Sequence, residues 1–393
     1  MIEKTIPTGL EEIHNSPLAS LTHSRLKTNV VIAYDVIKVK RIFNPSNSIL
    51  ANAIGKKKCF CIIDEKVMSF FGEQITSYFE ANNITFYTYQ VSVSEQAKNI
   101  DTIIQLLNFC YDNQISRRDY ILCIGGGIVC DLGGFAANLL RRSTPCIKIP
   151  TTLIGVVDAA IGVKTAVNFK EKKNSIGTYY SPDIVFYDTA LLTTLPENEI
   201  KYGLVEMIKI IAIKDAGLWE KLKAVIHTFY PFPQQQNDRI DELIDYAIKY
   251  MLEELQPNIF EKKLQRIVDY GHEFAHPIEV VTDYELTHGE AVATGMLISN
   301  AIAYKQGIMY QKDYEDFKNV IIALALPLWH NKITLDFLKS VPEKIKLHKD
   351  GRIDLVVLER VGTPHFLNDV HNESIEFAYK ELLEAHQLSN ANK

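Results

Sequence analysis

DYILCIGGGIVCDLGGFAANLL, residues 119–140, passes from an apolar strand through three adjacent glycines into a segment with helical periodicity. The glycines, Gly125 to Gly127, allow the backbone to approach a pyrophosphate, whose charge is favoured at the amino terminus of a helix. The run lacks the GxGxxG spacing, so a tight strand-to-helix turn without a ligand is the alternative interpretation. The pattern predicts a dinucleotide site at this turn.

Strands and helices alternate on both sides of this stretch, from about residue 29 to residue 190. KCFCIIDEKV and CIKIPTTL are typical of buried strands, whereas QITSYFEANNI and AKNIDTIIQLLNFCYDNQI have helical periodicity. Alternation of this kind predicts a doubly wound, largely parallel sheet with ligands at the carboxyl ends of its strands. Residues 29–190 are therefore predicted to form a Rossmann-like α/β dinucleotide-binding domain.

The pattern changes after LTTLPENEIKYGLVEMIKIIAI, because the remaining segments are long, helical in period and poor in β-branched runs. We expect residues 191–393 to form an all-helical (all-α) domain that binds metal and substrate, with a cleft between the two domains. Residues 1–28 are expected to be a loosely ordered lead.

Composition argues against several classes of protein. The chain has 393 residues, 47% of them hydrophobic, and a net charge of -6 without a block of like charges, which argues against a nucleic-acid or anionic-membrane partner. Its six cysteines form no CxxC pair, so buried thiols in a reducing compartment are predicted. The sequence shows no secretory leader and no apolar run of about 18 residues, so we expect a cytoplasmic protein.

Polar side chains that suit a cofactor or a sugar phosphate follow several predicted strands. Glu95, Lys98, Thr151 and Thr152 lie just after strands, where cofactor contacts would fall, although each alone is more often a turn or cap residue. The segment VDAAIGVKTAVNFKEKKNSIG supplies cations, amide donors and small neighbours, which suit a loop that closes on a phosphorylated polyol. A solvated lysine loop is the alternative interpretation of that segment.

Two charges interrupt an otherwise apolar helical segment, YGLVEMIKI. Glu206 and Lys209 stand three residues apart on one face of this helix. Charges in such a position are uncommon without a partner or a metal. A surface ion pair is the alternative interpretation.

DYGHEFAHPIE, residues 269–279, offers one candidate metal site by itself. On a helix His272 and His276 would share a face, and Glu273 follows the first histidine directly, as in the zinc-protease pattern. Pro277 argues against this pair, because the residue before a proline is biased away from helical geometry.

The competing set takes one histidine from this stretch and two ligands from elsewhere in the chain. Glu206, His272 and His288 would form a His2Glu set that leaves one position open for a substrate oxygen. Because Glu206 is distant in the chain, sequence spacing alone does not choose between the two sets.

Several motifs occur in the order seen in the 3-dehydroquinate synthase family. They are GGGIVCDLGGFAA, RRSTPCIKIPTTLIGVVDAAIGVKTAVN, KKNSIGTYYSP, LTTLP, GLVEMIK, YGHEFAHPIE and HGEAVA, and the resemblance runs from about residue 30 to residue 365. It implies a sugar phosphate cyclase with a dinucleotide-binding and a helical domain, which holds NAD and a divalent metal, zinc or cobalt, and acts as a homodimer. By this resemblance the metal ligands are Glu206, His272 and His288.

Within this family the chain resembles the sedoheptulose 7-phosphate cyclases more closely than the dehydroquinate synthases. RRSTPCIKIPTTLIG and MLEELQPNIFEKKLQRIVDYGH carry this resemblance, which includes Arg266 six residues before His272. Asp269 and His348 occupy two positions that favour the branch making 2-epi-5-epi-valiolone. His276, in GHEFAHP, departs from the heptulose cyclases and is similar to the dehydroquinate synthases.

The resemblance implies a carbon–oxygen lyase that converts sedoheptulose 7-phosphate to 2-epi-5-epi-valiolone and phosphate. Transient oxidation by NAD, phosphate elimination, re-reduction, ring opening and intramolecular aldol cyclisation would follow one another without net oxidation. The alternatives are 3-dehydroquinate synthase, 2-epi-valiolone or desmethyl-4-deoxygadusol synthase, a metal-dependent polyol dehydrogenase, and a catalytically inactive relative.

The site residues implied by the resemblance fall into overlapping sets. The catalytic set is Lys164, Lys209, Arg266, Asp269, His276 and His348. The substrate-binding set is Asp158, Lys164, Asn174, Lys209, Arg266, Asp269, His348 and Lys349. The cofactor-binding set is Asp64, Glu95, Lys98, Gly126, Gly127, Asp131, Thr151, Thr152, Lys173 and Thr194. Arginine suits forked contacts with phosphate, and a histidine suits proton transfer during ring opening.

Overall fold

A computed structural model describes residues 31–170, 172–233, 237–349 and 351–392. The lead expected for residues 1–28 lies outside the described residues. An α/β part comes first in the chain and a mainly helical part follows, as the sequence predicts.

Six parallel strands form the main sheet of the first part. In chain order its elements are β1 (Asp35–Lys38), α1 (Ile49–Ile54), β2 (Cys59–Asp64), α2 (Glu65–Ala81), β3 (Phe86–Val91), α3 (Ile100–Asp112), β4 (Tyr120–Gly125), α4 (Gly127–Leu139), β5 (Cys146–Pro150), β6 (Lys164–Phe169), β7 (Lys172–Tyr179) and β8 (Ile184–Tyr187). The sheet order is β1-β8-β5-β4-β2-β3, and every neighbouring pair is parallel. The predicted parallel sheet is confirmed, and the carboxyl ends of β5, β4 and β2 lie side by side.

The central strands are buried on both faces, which explains their continuous apolar runs. All residues of β4, YILCIG, are buried, as are the first five of β2, CFCIID. Helices α2 and α3 begin at side-chain caps: the Asp64 carboxylate accepts from the Lys66 amide at 2.8 Å, and Asn99 Oδ1 accepts from the Thr102 amide at 2.9 Å. The six cysteines are buried, as predicted.

Strands β6 and β7 form an antiparallel hairpin apart from the main sheet. The sequence analysis expected this segment to be a loop that closes on a sugar phosphate, and this expectation is wrong about the backbone. KTAVNF alternates buried and more exposed side chains, a pattern that favours a strand. The lysines and amides of the segment are consequently held by a paired backbone rather than by a free loop.

The second part is built mainly from helices. Its elements are α5 (Glu197–Lys214), α6 (Ala216–Val225), α7 (Asp238–Leu255), α8 (His272–Val281), α9 (His288–Lys305), α10 (Gln311–Ala323), α11 (Leu335–His348), β9 (Leu355–Arg360), β10 (Thr363–Leu367) and α12 (Asn372–Ala391). The expectation of an all-helical domain is wrong in one respect, because β9 and β10 pair as an antiparallel hairpin. LVVLER is a short β-branched run that favours a strand, and Gly362, at φ +83°, lies in the turn between the two strands. This signal is short and lies between long helices, so the sequence analysis overlooked it.

Helix α9 is buried along most of its length and packs tightly against α8. The contact between the two helices depends on glycine at both sides. Gly271, at φ +82°, precedes the first residue of α8, and Gly295 of α9 lies directly against its carbonyl group. This close approach fixes the position at which α8 begins.

Gly295→Ala should destabilise the protein by about 2–3 kcal/mol, since it forces an extra methyl group into a packed contact. A Cβ at this position would lie 2.0 Å from the carbonyl oxygen of Gly271, so backbone would have to move. Thermal unfolding of the purified protein measures the effect as a lower Tm. Gly162→Ala is the control, because its Cβ would meet no neighbour nearer than 3.9 Å. Equal melting temperatures for the two variants would contradict the packing described here.

Candidate active site

Three side chains from three helices converge beside the turn that follows β5. Glu206 lies in the middle of α5, and His272 and His288 are the first residues of α8 and α9. Glu206 Oε1 lies 3.8 Å from His272 Nε2 and 3.7 Å from His288 Nε2. One candidate ligand atom from each residue falls within 4.8 Å of the others. The fold thus brings together the His2Glu set that the sequence offered as one of two alternatives.

The chemistry of this set fits a divalent metal such as zinc. Two imidazole nitrogens and one carboxylate oxygen are zinc ligands, and three protein ligands leave a position for a substrate oxygen. Glu206 is fully buried, its Oε2 lies 2.5 Å from Lys209 Nζ, and within the described residues no group donates a hydrogen bond to its Oε1. A buried carboxylate oxygen without a partner costs free energy, which a cation at this point would recover.

The protonation of His272 also suits a ligand. Burial, together with the nearby charge of Lys209, holds the pKa of His272 well below its usual value. The ring is therefore neutral at neutral pH, and neutral imidazole is the form that binds metals.

His276 lies close to the metal set but outside it. Helix α8 continues through Pro277, so the expectation that this proline would take His276 out of helical geometry is wrong. A proline in the helix removes one backbone hydrogen bond, and α8 accommodates that loss. The ring centroids of His272 and His276 are 5.4 Å apart, yet the ligand atoms that converge within 4.8 Å belong to the His2Glu set.

The ring of His276 reaches solvent, but the protein atoms around it still influence its protonation. Burial among them lowers its pKa, although the charge of Glu279 acts in the opposite direction. The imidazole is therefore mostly neutral at neutral pH, and a neutral ring can accept a proton.

Glu279 is a part of the site that the sequence analysis left without a role. It is buried on α8, its Oε2 lies 3.5 Å from His288 Nδ1, and its Oε1 lies 3.3 Å from Lys173 Nζ. Burial alone would raise its pKa, but the hydrogen bond to His288 and the charge of Lys173 lower it to about 2. A carboxylate on Nδ1 leaves Nε2 to face Glu206, which fixes the orientation of the ring. The sequence did contain a signal for Glu279. This residue stands seven positions after His272, and that spacing places both side chains on one face of a helix.

Glu279→Gln should weaken zinc binding about 10- to 100-fold, because the ligating ring of His288 loses the charged partner that orients it. Competition with a chromophoric chelator measures the affinity. Glu285→Gln is the matched control, since Glu285 also faces a histidine, His330 at 3.1 Å, but is itself exposed. A finding that both variants bind zinc as tightly as the wild type would contradict the role given to Glu279.

Lys209 and Asp158 extend the charge cluster towards the α/β part. Lys209 is almost completely buried one turn after Glu206, and Asp158 lies in a π-helical turn after β5. Burial opposes the charge on Lys209, but Glu206 and Asp158 outweigh this effect and raise its pKa. Burial raises the pKa of the Asp158 carboxyl, and Lys209 acts against it. A charged ammonium group therefore lies beside the metal set.

Four charged side chains form a chain from β6 to the segment before α8. Lys164 Nζ lies 2.7 Å from Glu261 Oε1, and the same oxygen contacts the Arg266 guanidinium. Arg266 holds Asp269 with two nitrogens, Nη2 to Oδ1 at 2.5 Å and Nε to Oδ2 at 3.2 Å. The sequence analysis singled out Lys164, Arg266 and Asp269. It missed Glu261, although this residue lies in the same quoted segment as Arg266.

Lys349 approaches this chain of charges from another side. Its Nζ lies 3.2 Å from Glu273 Oε1 and 4.0 Å from Asp269 Oδ2. Burial raises the pKa of the Glu273 carboxyl to about 8, although Lys349 acts against this. His348 ends α11, and its side chain lies outside the described part of the structure.

The residues predicted to hold a dinucleotide lie along the carboxyl edge of the sheet. They include Asp64 at the end of β2, Gly126 and Gly127 between β4 and α4, and Thr151 and Thr152 after β5. A Cβ on Gly126 would lie 2.9 Å from Thr152 Cγ2, and the Gly155 amide holds the Thr152 hydroxyl at 3.1 Å. This turn has no room for a side chain, and the amides at the start of α4 suit a pyrophosphate.

Further predicted residues lie beside this edge. Lys98 is buried, with its Nζ 2.5 Å from Asp131 Oδ2 and 2.6 Å from Asn174 Oδ1. Asn174, which was predicted to contact substrate, thus lies among residues predicted to contact the cofactor. The remaining three are Glu95, which accepts from Asn168 at 2.7 Å, Lys173, beside Glu279, and Thr194, in the turn before α5.

Comparison with protein families assigns both parts of the chain. A model described as 3-dehydroquinate synthase N-terminal matches residues 88–202, and one described as 3-dehydroquinate synthase C-terminal matches residues 203–346. The chain therefore belongs to the 3-dehydroquinate synthase family, as its motifs indicate. Within the described residues no helix is both long and apolar enough to cross a membrane.

Two relatives and one solved structure extend this result. The 2-epi-5-epi-valiolone synthase of Streptomyces hygroscopicus subsp. jinggangensis is 34% identical, over 90% of this chain and 88% of that protein. The demethyl-4-deoxygadusol synthase of Trichormus variabilis is 32% identical, over 89% of this chain and 88% of that protein. A structure of the Streptomyces enzyme with NAD+ and Zn2+ bound matches with a TM-score of 0.86 at 34% identity, over 92% of this chain and 99% of that one. The predicted fold class is confirmed.

Proposed function

We propose that the protein is a sugar phosphate cyclase that converts sedoheptulose 7-phosphate to 2-epi-5-epi-valiolone and phosphate. The observation that carries the proposal is the buried Glu206 carboxylate, whose Oε1 faces two histidine nitrogens at 3.7 and 3.8 Å and has no donor among the described residues. The likeness to a 2-epi-5-epi-valiolone synthase over 90% of the chain supports the choice of reaction.

The proposal includes two bound groups. Glu206, His272 and His288 would hold zinc or cobalt, and the glycine turn at Gly126 and Gly127 would hold the pyrophosphate of NAD. The relative whose structure contains NAD+ and Zn2+ supports both assignments. When bound, NAD takes up and returns a hydride, and the metal polarises the hydroxyl group that is oxidised.

The side chains around the metal set are assigned to the substrate. Lys209, charged and 3% exposed, would donate to a substrate hydroxyl next to the metal, with Asp158 keeping it charged. Lys164, Arg266 and Lys349 would supply cationic donors to the phosphate and the sugar, and Asn174 would lie between substrate and cofactor.

Three residues are assigned to the sugar itself. Asp269 would accept from heptulose hydroxyls, because a carboxylate has more acceptor sites than the two contacts with Arg266 occupy. His276 would accept the proton of the ring hydroxyl during ring opening, since its ring is mostly neutral. We also propose that His348 contacts the heptulose end of the substrate, as the sequence analysis expects.

Three features of the whole protein stay proposals. They are a domain boundary at residue 190, between β8 and α5, a homodimer, and a place in the cytoplasm. Sedimentation of the purified protein tests the dimer, since a single species of monomer mass would contradict it.

The second candidate function is 3-dehydroquinate synthase, because the chain resembles enzymes of that kind in having a histidine at position 276. The two reactions differ in substrate: a heptulosonate phosphate carries a carboxylate, whereas sedoheptulose 7-phosphate carries a neutral hydroxymethyl group at that end. Desmethyl-4-deoxygadusol and 2-epi-valiolone synthases would use the neutral substrate but give other products.

Phosphate release from the two substrates tests the proposed function. Purified protein with zinc and NAD should release phosphate from sedoheptulose 7-phosphate without accumulating NADH, because the hydride returns within one turnover. Phosphate release from the heptulosonate phosphate alone would refute the proposal. Steady accumulation of NADH without phosphate would instead identify a polyol dehydrogenase.

A further inference from the structure

Asp354 stands at the open end of the β9–β10 hairpin, directly before β9, and it is buried. Its φ is +42°, in the left-handed region that disfavours residues with a Cβ. Asn368, directly after β10, closes this end with two bonds: its Oδ1 accepts from the Asp354 amide at 3.0 Å, and its Nδ2 donates to Asp354 Oδ1 at 3.2 Å. A buried carboxylate on a strained backbone points to a role for the groups that it holds.

Asp354 holds two segments that carry cations of the substrate site. Its Oδ1 also accepts from Gln265 Nε2 at 3.1 Å, and Gln265 directly precedes Arg266. Its carbonyl oxygen lies 3.5 Å from Lys349 Nζ. The two cations meet at one carboxylate, because Asp269 accepts from Arg266 Nη2 at 2.5 Å and its Oδ2 lies 4.0 Å from Lys349 Nζ. One buried residue is therefore tied to both cations.

The hairpin that carries Asp354 is itself fixed to the helices of the metal set. The Val356 amide of β9 donates to Glu273 Oε1 at 3.4 Å, and Glu273 is the second residue of α8. At the other end of the hairpin the Gly362 amide donates to the Ala212 carbonyl of α5, the helix of Glu206, at 2.7 Å. The position of Asp354 is consequently set relative to the candidate metal ligands.

Resting on the proposed function, we propose that Asp354 is a positioning residue that fixes the distance between Arg266 and Lys349 and so the fit of the substrate between them. Two long cationic side chains repel each other and have many rotamers, so a fixed distance requires an anchor for each. The Asp354 side chain anchors the segment of Arg266, and its carbonyl anchors the ammonium group of Lys349. Asp354 acts through these two residues and does not itself bind the substrate.

Asp354→Gly tests the anchor, because glycine adopts the left-handed backbone without strain and so removes only the side chain. In the protein loaded with zinc and NAD, KM for sedoheptulose 7-phosphate should rise about tenfold, and a phosphonate analogue should bind more weakly by a similar factor. The kcat should stay within about twofold of wild type, because the lost interaction is ground-state binding. The affinities for zinc and NAD should not change.

Asp354→Asn is the conservative variant that should restore the wild-type KM. Asparagine keeps an oxygen that accepts from Gln265 and Asn368, and it tolerates the left-handed conformation. Gln265→Ala breaks the same bond from the exposed partner, so it leaves the hairpin intact, and it should raise KM about threefold. In the double variant with Asp354→Gly it should add nothing further, because both changes remove one interaction.

Asp313→Ala is the matched control, since Asp313 Oδ1 accepts from the Val361 amide at 3.1 Å, beside the turn of the same hairpin. It should lower the Tm and leave KM unchanged. If Asp354 only stabilised the hairpin, Asp354→Gly would behave in the same way, and that result would overturn the inference. A KM as high in Asp354→Asn as in Asp354→Gly would also overturn it.

The wild type separates this inference from the proposed function. A wild-type protein that releases no phosphate from sedoheptulose 7-phosphate would refute the proposed function and this inference together. An active wild type, with an unchanged KM in both Asp354→Gly and Gln265→Ala, would overturn the inference alone.

Discussion

Glu206→Gln should leave a folded protein that retains almost no zinc and releases phosphate at least about 10³-fold more slowly. Loss of a partner that merely orients a ligand costs about 10- to 100-fold in metal affinity, so loss of a charged ligand costs more. The variant also removes the charge that pairs with the buried ammonium of Lys209 at 2.5 Å, so the metal-free protein should lose about 3 kcal/mol or more of stability. Metal content by mass spectrometry, phosphate release and thermal unfolding measure the three effects.

The matched control lies on the same helix. Glu197→Gln removes a carboxylate that pairs with Lys201 at 2.6 Å, but Glu197 is 43% exposed and is the first residue of α5, whereas Glu206 lies in the middle of that helix. An exposed pair of this kind contributes about 0.5 kcal/mol, so metal content and activity should stay at the wild-type level. A Glu206→Gln protein with full zinc content would show that the metal is held elsewhere.

Gly126→Val should weaken NAD binding by about 100-fold, because the new side chain competes for space that the cofactor and Thr152 both need. The first added atom would already lie 2.9 Å from Thr152 Cγ2. The branched end of valine would then stand over the first amides of α4, where the pyrophosphate is expected. Calorimetric titration with NAD measures the loss of affinity. The zinc content should remain unchanged.

Gly72→Ala is the control for this substitution. Its Cβ would meet only the flexible side chain of Met68, at 3.1 Å, in helix α2 and away from the glycine turn. Its affinity for NAD should match that of the wild type. Tight NAD binding by Gly126→Val would exclude this turn as the pyrophosphate site.

The sheet could be predicted from the sequence because its signals are local. Each central strand is a continuous apolar run, and the glycines after β4 leave no room for a side chain. The hairpin of β9 and β10 was missed, because two short strands between long helices give a weak pattern. Pro277 was misjudged for a related reason: the local bias of a proline yields to the packing of α8 against α9.

The candidate site could be predicted only in part, because its chemistry depends on contacts between distant segments. The spacing of Glu206 and His288 in the sequence does not indicate that both face His272. Only the resemblance to a family identified the three residues as one set of ligands. Glu261 and Glu279 lie inside segments that resemble the family, but the sequence analysis assigned neither residue a role. Their roles appear when the fold sets one against Lys164 and Arg266 and the other against the far nitrogen of His288.

The central claim is that a metal and a recycled NAD convert a neutral heptulose phosphate into a carbocycle. Sedoheptulose 7-phosphate deuterated at the carbinol carbon that is transiently oxidised tests it most directly, with the product examined by NMR and mass spectrometry. We expect a phosphate-free cyclic ketone that keeps the deuterium at that carbon, with one phosphate released for each product, because the same cofactor takes and returns the hydride. Transfer of the deuterium to free NADH, or a product that retains its phosphate, would contradict the account.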